Sequence, residues 1–364
     1  MSNGVRCMLM RGGSSKGAYF LATDLPDDPA ERDDLLRRIM GSPDPRQIDG
    51  IGGAHPLTSK VAIVGPCDDD RADVEYLFLQ VGVDTDQVTD RQNCGNLLAG
   101  VAPFAYERGL CGQLGTVPNC SLRILMRNTD TVATAHFSVA DGAPVYDGDT
   151  AISGVPGTAA AIHLDFDDLG GGSCGEMLPT GNVVDVINGI ECTLIDNGMP
   201  AVVMRASDLN ITGAEAPTDL EANETLRATL EAIRLAAGPM MNLGDVTDTT
   251  VPKLTMVSAP IGDGHLSTRT FIPHRCHEAI GVLGAVSVAT AALLPGSPAN
   301  ELLISPTDET VRLEHPTGFF DATVDVETTD AGGIEVRRAG IVRTARKLMD
   351  GTVFPRATPV DAKG

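Results

Sequence analysis

The sequence predicts an α+β fold of two pseudo-symmetric lobes, each a β-barrel-like antiparallel sheet wrapped around a central apolar helix. Three observations predict it: an internal repeat, two helical segments that are apolar on nearly every side, and a composition rich in turn residues and poor in aromatics.

The repeat comes first because it sets the architecture. Residues 4–20 read GVRCMLMRGGSSKGAYF and residues 189–204 read GIECTLIDNGMPAVVM; Cys7 and Cys192, and Gly13 and Gly198, stand 185 positions apart. Each segment alternates apolar and polar residues, turns at glycine and alternates again, the pattern of a hairpin. Helical spacing follows in both copies, over Glu31 to Met40 and over Thr225 to Leu235. A strand opened by lysine comes next: Lys60-Val-Ala-Ile-Val in one copy, Lys253-Leu-Thr-Met-Val in the other.

Each copy then reaches a small-residue apolar helix, Gly95 to Glu107 and Ala279 to Leu293. A helix with no polar face is a buried one. In a strand-rich lobe it fits at the centre of a strongly curved sheet. Forty Gly and 23 Pro provide the turns between short strands, and 42% hydrophobic content with no Trp makes the cores aliphatic. Length suits two domains. The Gly-rich stretch 170–182 marks the expected boundary, giving an N-terminal lobe of 1–180, completed by about 345–364, and a C-terminal lobe of 181–344. A cleft between lobes is the expected place for a ligand.

The net charge of −22 and the lack of a basic stripe exclude a nucleic-acid binder. Eight scattered Cys without a CxxC pair, no signal-like N-terminus and no apolar run of about 18 residues predict a cytoplasmic chain with reduced thiols and no membrane partner.

Gln92-Asn93-Cys94-Gly95-Asn96 stands at the start of the first apolar helix. A thiol there meets unpaired N–H groups and the positive end of the helix dipole, which favour thiolate and can hold a carboxylate or enolate oxygen. Asp49 to Lys60 is a polar, Gly-rich approach to a lysine, and a lysine removes a carbon-bound proton only when burial or a neighbouring cation depresses its pKa. The plainer alternatives are a cysteine packed beneath a helix and an exposed strand lysine. Lys253, preceded by Val251-Pro252, is the weaker candidate of the two lysines.

Arg11 to Gly17 lacks P-loop spacing. It contains GxSxG, but Ala18 to Leu21 reads as strand where a nucleophile elbow needs a helix, so a serine hydrolase is disfavoured. The turn is better suited to gripping a carboxylate. His274, Cys276 and His277 lack spaced partners for a metal site, and Arg275 is better read as a carboxylate clamp.

With these segments in hand, the chain resembles the PrpF family within the diaminopimelate-epimerase-like fold, in particular the 4-oxalomesaconate tautomerases and Δ-isomerases of aromatic-acid breakdown. The resemblance rests on MRGGSSKGAYFL at 10–21, MGSPDPRQIDGIGGAHPLTSKVAIV at 40–64, QNCGN at 92–96, LPTGN at 178–182, IDNGMP at 195–200, MNLGDV at 241–246, FIPHRCHEAIGVLGAVSVATA at 271–291 and VRTARKLMDG at 342–351. It implies catalysis without metal or organic cofactor, with the family's lysine at Lys60 and its cysteine at Cys94. The wider fold's epimerases carry a second thiol at the second central helix. Here Glu278-Ala279-Ile280-Gly281 stands there instead, which disfavours a two-thiol racemase.

The expected activity is a 1,3-proton shift on 4-oxalomesaconate, a small tricarboxylate, with 2-methylaconitate isomerisation as the alternative and a non-catalytic tricarboxylate binder as the reading from another class. Ser14, Ser15, Ser59, Asn93 and Asn96 are expected to hold the substrate, together with Arg275 and the helix-start residues Gly95, Ile280 and Gly281. Lys60 and Cys94 divide the acid and base roles. A homodimer is expected.

Overall fold

The computed structural model describes residues 4–90, 94–111, 119–167, 169–306, 310–328 and 334–357. Contacts divide the chain into two units, the first running to Leu164 and resuming at Arg343, the second spanning Asp165–Val342. Residues 165–180, expected in the first lobe, therefore belong with the second. Their backbone is tied there: Gly171 N–H donates to Asp196 O at 2.7 Å, and Asp196 N–H to Met177 O at 2.8 Å. The Asp196 carboxylate also accepts the N–H groups of Ser173 and Cys174, at 2.7 and 2.9 Å.

In the first unit, β1 (Val5–Gly12) and β2 (Ser15–Leu21) form a hairpin. Helix α1 (Pro29–Met40) carries the chain across to β3 (Lys60–Pro66). Its N-cap Asp28 accepts from Ala30 and Glu31 N–H, Pro29 opens it, and Gly41 closes it at φ 84. Because a helix intervenes, β3 lies parallel to β2, with Gly17 opposite Lys60. β4 (Val74–Val81) returns antiparallel, followed by the short β5 (Val88–Thr89). Helix α2 (Gly95–Glu107) then crosses to β6 (Asn119–Met126), which is parallel to β4. β7 (Thr131–Ala140), β8 (Ala143–Pro144) and β9 (Ala161–Phe166) follow. β9 pairs with β7 and with the last strand of the chain, and that strand pairs with β1, so eight strands close into a barrel.

Every residue of α2 from Leu97 to Ala105 is buried, and the helix packs against β1, β2, β3, β4, β7 and β8. Each fully buried leucine contributes about 2 kcal/mol. Such close wrapping needs strands without side chains at the contact: a Cβ on Gly12 would sit 2.5 Å from Asn96 O.

The second unit repeats the order. β10 (Asp185–Ile187), β11 (Ile190–Asp196) and β12 (Pro200–Arg205) are antiparallel neighbours. Helices α3 (Pro217–Ala222) and α4 (Glu224–Met240) cross to β13 (Lys253–Ser258), parallel to β12. β14 (Leu266–Phe271) returns, and α5 (Val282–Leu293) crosses to β15 (Thr310–His315), parallel to β14. β16 (Gly318–Thr328) and β17 (Ile334–Val353) complete the sheet. α5 packs on β11, β12, β15 and β16.

Each sheet is thus mixed rather than wholly antiparallel: the two helical crossovers in each unit impose one parallel pairing apiece. α5 starts three residues later than its apolar pattern suggested. The chain before it makes a turn, with Ile272 N–H bonded to Arg275 O and His277 N–H to Thr270 O, both at 2.8 Å. Conversely, α4 runs beyond the expected Leu235 to Met240. Among the described residues, no helix is long and apolar enough to cross a membrane.

Candidate active site

Lys60 opens β3 and Cys94 is the N-cap residue of α2. The barrel brings them together: Lys60 Nζ donates to Cys94 Sγ at 3.6 Å, and both residues are 8% exposed. Lys60 Nζ also lies 4.9 Å from the centre of the Phe78 ring.

The thiol sits where the helix is electrically open. Leu98 N–H makes the first intrahelical bond, to Cys94 O at 3.0 Å, and the amides that precede it in a helix have no acceptor within the helix itself. No side chain caps this end among the described residues. The carbonyls are held from the other side: Tyr19 Oη donates to Leu97 O at 2.5 Å and Tyr76 Oη to Cys94 O at 3.4 Å. Burial, and secondarily the nearby Cys94, pushes both phenols well above 10, so they remain donors. Nothing in the sequence pattern distinguished these two tyrosines from ordinary core residues.

Ser59 precedes Lys60 and is fully buried, but its hydroxyl is used internally: it donates to Val81 O at 2.9 Å and accepts from Gln47 Nε2 at 2.7 Å. Gln47 clips the Gly-rich approach loop. Its amide also donates to Ser42 Oγ at 3.0 Å, and its oxygen accepts Ala54 N–H at 2.9 Å. It does so from a left-handed backbone, φ 44, which costs about 1 kcal/mol and so marks a position held by its contacts. This residue was missed because a loop glutamine carries no signal of its own.

Ser14 and Ser15 lie in the β1–β2 turn. Asn96 Nδ2 donates to Ser14 Oγ at 3.2 Å, joining the turn to the first turn of α2, while Gly13 N–H bonds to Thr344 O at 2.9 Å. The Ser15 hydroxyl is buried and has no hydrogen-bond partner among the described residues. Ser15 begins β2, so the strand expected after the GxSxG match is present and the strand–turn–helix of a nucleophile elbow is absent here. Lys60, Cys94, Gly95, Asn96, Ser14, Ser15 and Ser59 therefore all belong to the first unit. Asn93 lies outside the described residues.

Arg275, Ile280 and Gly281 belong to the second unit. Arg275 is exposed and its guanidinium pairs with Glu221 at 3.2 Å. Ile280 is buried, and Gly281 is the uncapped N-cap of α5. Cys276 precedes this helix start, and burial raises its thiol to about 11. Lys253, the repeat partner of Lys60, donates to Thr250 O at 2.6 Å, and burial lowers its pKa. The second unit thus has the lysine and the helix start but no thiol on the N-cap. No group of three or more metal-binding side chains occurs among the described residues.

The pair in the first unit can take a proton at one position and return it at another, with helix amides beside it for an anion. The chain is 57% identical over 350 residues to a (4E)-oxalomesaconate Delta-isomerase of Novosphingobium sp. (strain KA1), covering 96% of each chain. It is 54% identical over 351 residues to a 4-oxalomesaconate tautomerase of Pseudomonas putida, covering 96% of this chain and 95% of the relative. A crystal structure of methylitaconate-delta-isomerase superposes with a TM-score of 0.87 at 35% identity, covering 97% of this chain and 96% of the other. The family model for the PrpF protein matches residues 3–356, and the chain belongs to the PrpF family.

Proposed function

We propose that the protein is an isomerase that shifts a proton between two carbons of 4-oxalomesaconate, working without metal or organic cofactor. The observation that carries this reading is the 3.6 Å approach of Lys60 Nζ to Cys94 Sγ at the open end of α2. Neutral Lys60 takes a proton from the carbon acidified by the conjugated keto and carboxylate groups, and the electron pair left behind spreads into a dienolate. The amides of Gly95 and Asn96 face that negative charge. Cys94 delivers its proton to the carbon two positions away, and proton return from Lys60 to the Cys94 thiolate restores the pair. The net change is one C–H bond broken, one formed and a double bond moved. The eight cysteines, none in a disulfide, suit a reducing cytoplasm.

Proton NMR of 4-oxalomesaconate with the purified protein in D2O tests the reading. Deuterium incorporation with a migrated double bond is the expected result. Faster enol formation alone would identify a tautomerase. No change over background would reject both outcomes, and 2-methylaconitate would become the substrate to try.

A further inference from the structure

A cavity of about 330 Å³ in the first unit lies against the β1–β2 turn, bordered by Ser14 and Ser15, by Thr58 just ahead of Lys60, and by the 150–158 segment. Three cations line it, Arg11, Lys16 and Arg346, and no carboxylate does. In a chain of net charge −22 that local imbalance is unusual. Arg11 and Arg346 are direct partners across the β1–β17 ladder, so two like charges stand on adjacent strands. Burial, and next the Arg346 charge, lower the Arg11 pKa. The buried Ser15 hydroxyl on the wall, 2% exposed, has no partner among the described residues and can donate to a guest. The site is also built from within. Arg11 is held by Gly13 O at 2.8 Å and by Thr344 Oγ1 at 2.9 Å, and Ser14 is tied to Asn96, two residues past Cys94.

We propose that this cavity is a carboxylate subsite, in which Arg11, Lys16, Arg346 and the Ser15 hydroxyl receive the third carboxylate of a tricarboxylate substrate and so favour tricarboxylates over dicarboxylates. The inference rests on the proposed isomerase function in taking the occupant to be substrate. The lining includes Thr58, two residues before Lys60, and Ser14, whose hydroxyl accepts from Asn96, two residues after Cys94, so the cavity borders residues close in sequence or by hydrogen bond to both members of the pair.

Calorimetric titration of the full chain with tricarballylate and with glutarate, the same five-carbon backbone without the middle carboxylate, tests the subsite. Tricarballylate should bind more tightly. Arg346→Gln and Lys16→Gln should each weaken tricarballylate by about tenfold, the scale of one charge-assisted hydrogen bond, and glutarate by less than about threefold. Arg346 is exposed, so its replacement should leave the fold and the melting temperature unchanged. Equal weakening of both ligands, or of neither, would overturn the subsite, as would inorganic phosphate saturating the cavity without competing with tricarballylate. The two proposals fail separately. If 4-oxalomesaconate is not converted but the tricarballylate preference depends on Arg346, the subsite stands and the isomerase reading falls. If conversion is rapid and the preference does not respond to Arg346 or Lys16, only the subsite falls.

Discussion

Lys60 and Cys94 are 34 residues apart in sequence and 3.6 Å apart in space, one on the first residue of a strand and the other on the N-cap of the helix that the strand wraps. The contact is made by closing the barrel around α2, and in the proposed isomerisation each partner hands on a proton. Lys60→Met and Cys94→Ser should each lower kcat by about 10²–10⁴ or more, the usual worth of a positioned acid or base. Matched circular-dichroism spectra and melting curves would show that the loss is chemical. Wild-type turnover in either variant would remove that residue from the mechanism.

The approach to Lys60 depends on Gln47, whose side chain binds Ser42, Ser59 and Ala54 at once. Gln47→Leu keeps the volume and removes all three bonds, while the Ser42 and Ser59 hydroxyls keep only their bonds to Gly82 O and Val81 O. It should destabilise the protein by about 2–4 kcal/mol in denaturant titrations. Because the released segment ends at Lys60, kcat should fall more than KM rises. A stability loss with unchanged kcat would make Gln47 purely structural.

Glycine has opposite roles at Gly12, on the β1 strand against α2, and at Gly284, within α5. At Gly12 a Cβ would meet the backbone oxygen of Asn96 at 2.5 Å, and a helix backbone cannot step aside as a side chain can. Gly12→Ala should cost about 1–3 kcal/mol and reduce activity by displacing the start of α2. Gly284, in the first turns of α5, has nothing within 4 Å of its missing Cβ. Gly284→Ala should stabilise the protein by about 0.5–1 kcal/mol. Thermal melting of both variants checks the contrast.

Acid stability should depend in part on Asp350. Arg108, at the C-terminal end of α2, grips it with two bonds of 2.7 and 2.9 Å and holds its carboxyl below the usual 3.8. A depressed folded-state pKa means that the pair's contribution is fully present above 3.8 and is lost as pH falls below it, through the folded-state value. Asp350→Asn should therefore be less stable than wild type at pH 7, with the gap closing at the acid end. A gap that persists unchanged down to pH 2 would assign the effect to packing.

Much of the architecture is written in local pattern. The offset repeat, the two helices without a polar face and the glycine-marked turns are properties of short windows. They were enough to anticipate two similar α+β lobes, a buried α2 at Gly95 to Glu107, a lysine at a strand start and a cysteine at a helix start. Periodicity reports which residues avoid water, so it finds cores and the elements that carry them.

What only the tertiary structure decided depends on contacts between distant segments. Arg11 meets Thr344 across 333 residues, and no window of sequence contains both. The same holds for the parallel pairing of β2 with β3 and for the return of the chain from Arg343 to the first unit. It also separates the two serines of the turn: Ser14 is engaged by Asn96, while Ser15 is buried with a free hydroxyl. Neighbouring residues of the same type share every local preference. Only the packing of remote strands and helices around them determines which hydroxyl is satisfied and which is not.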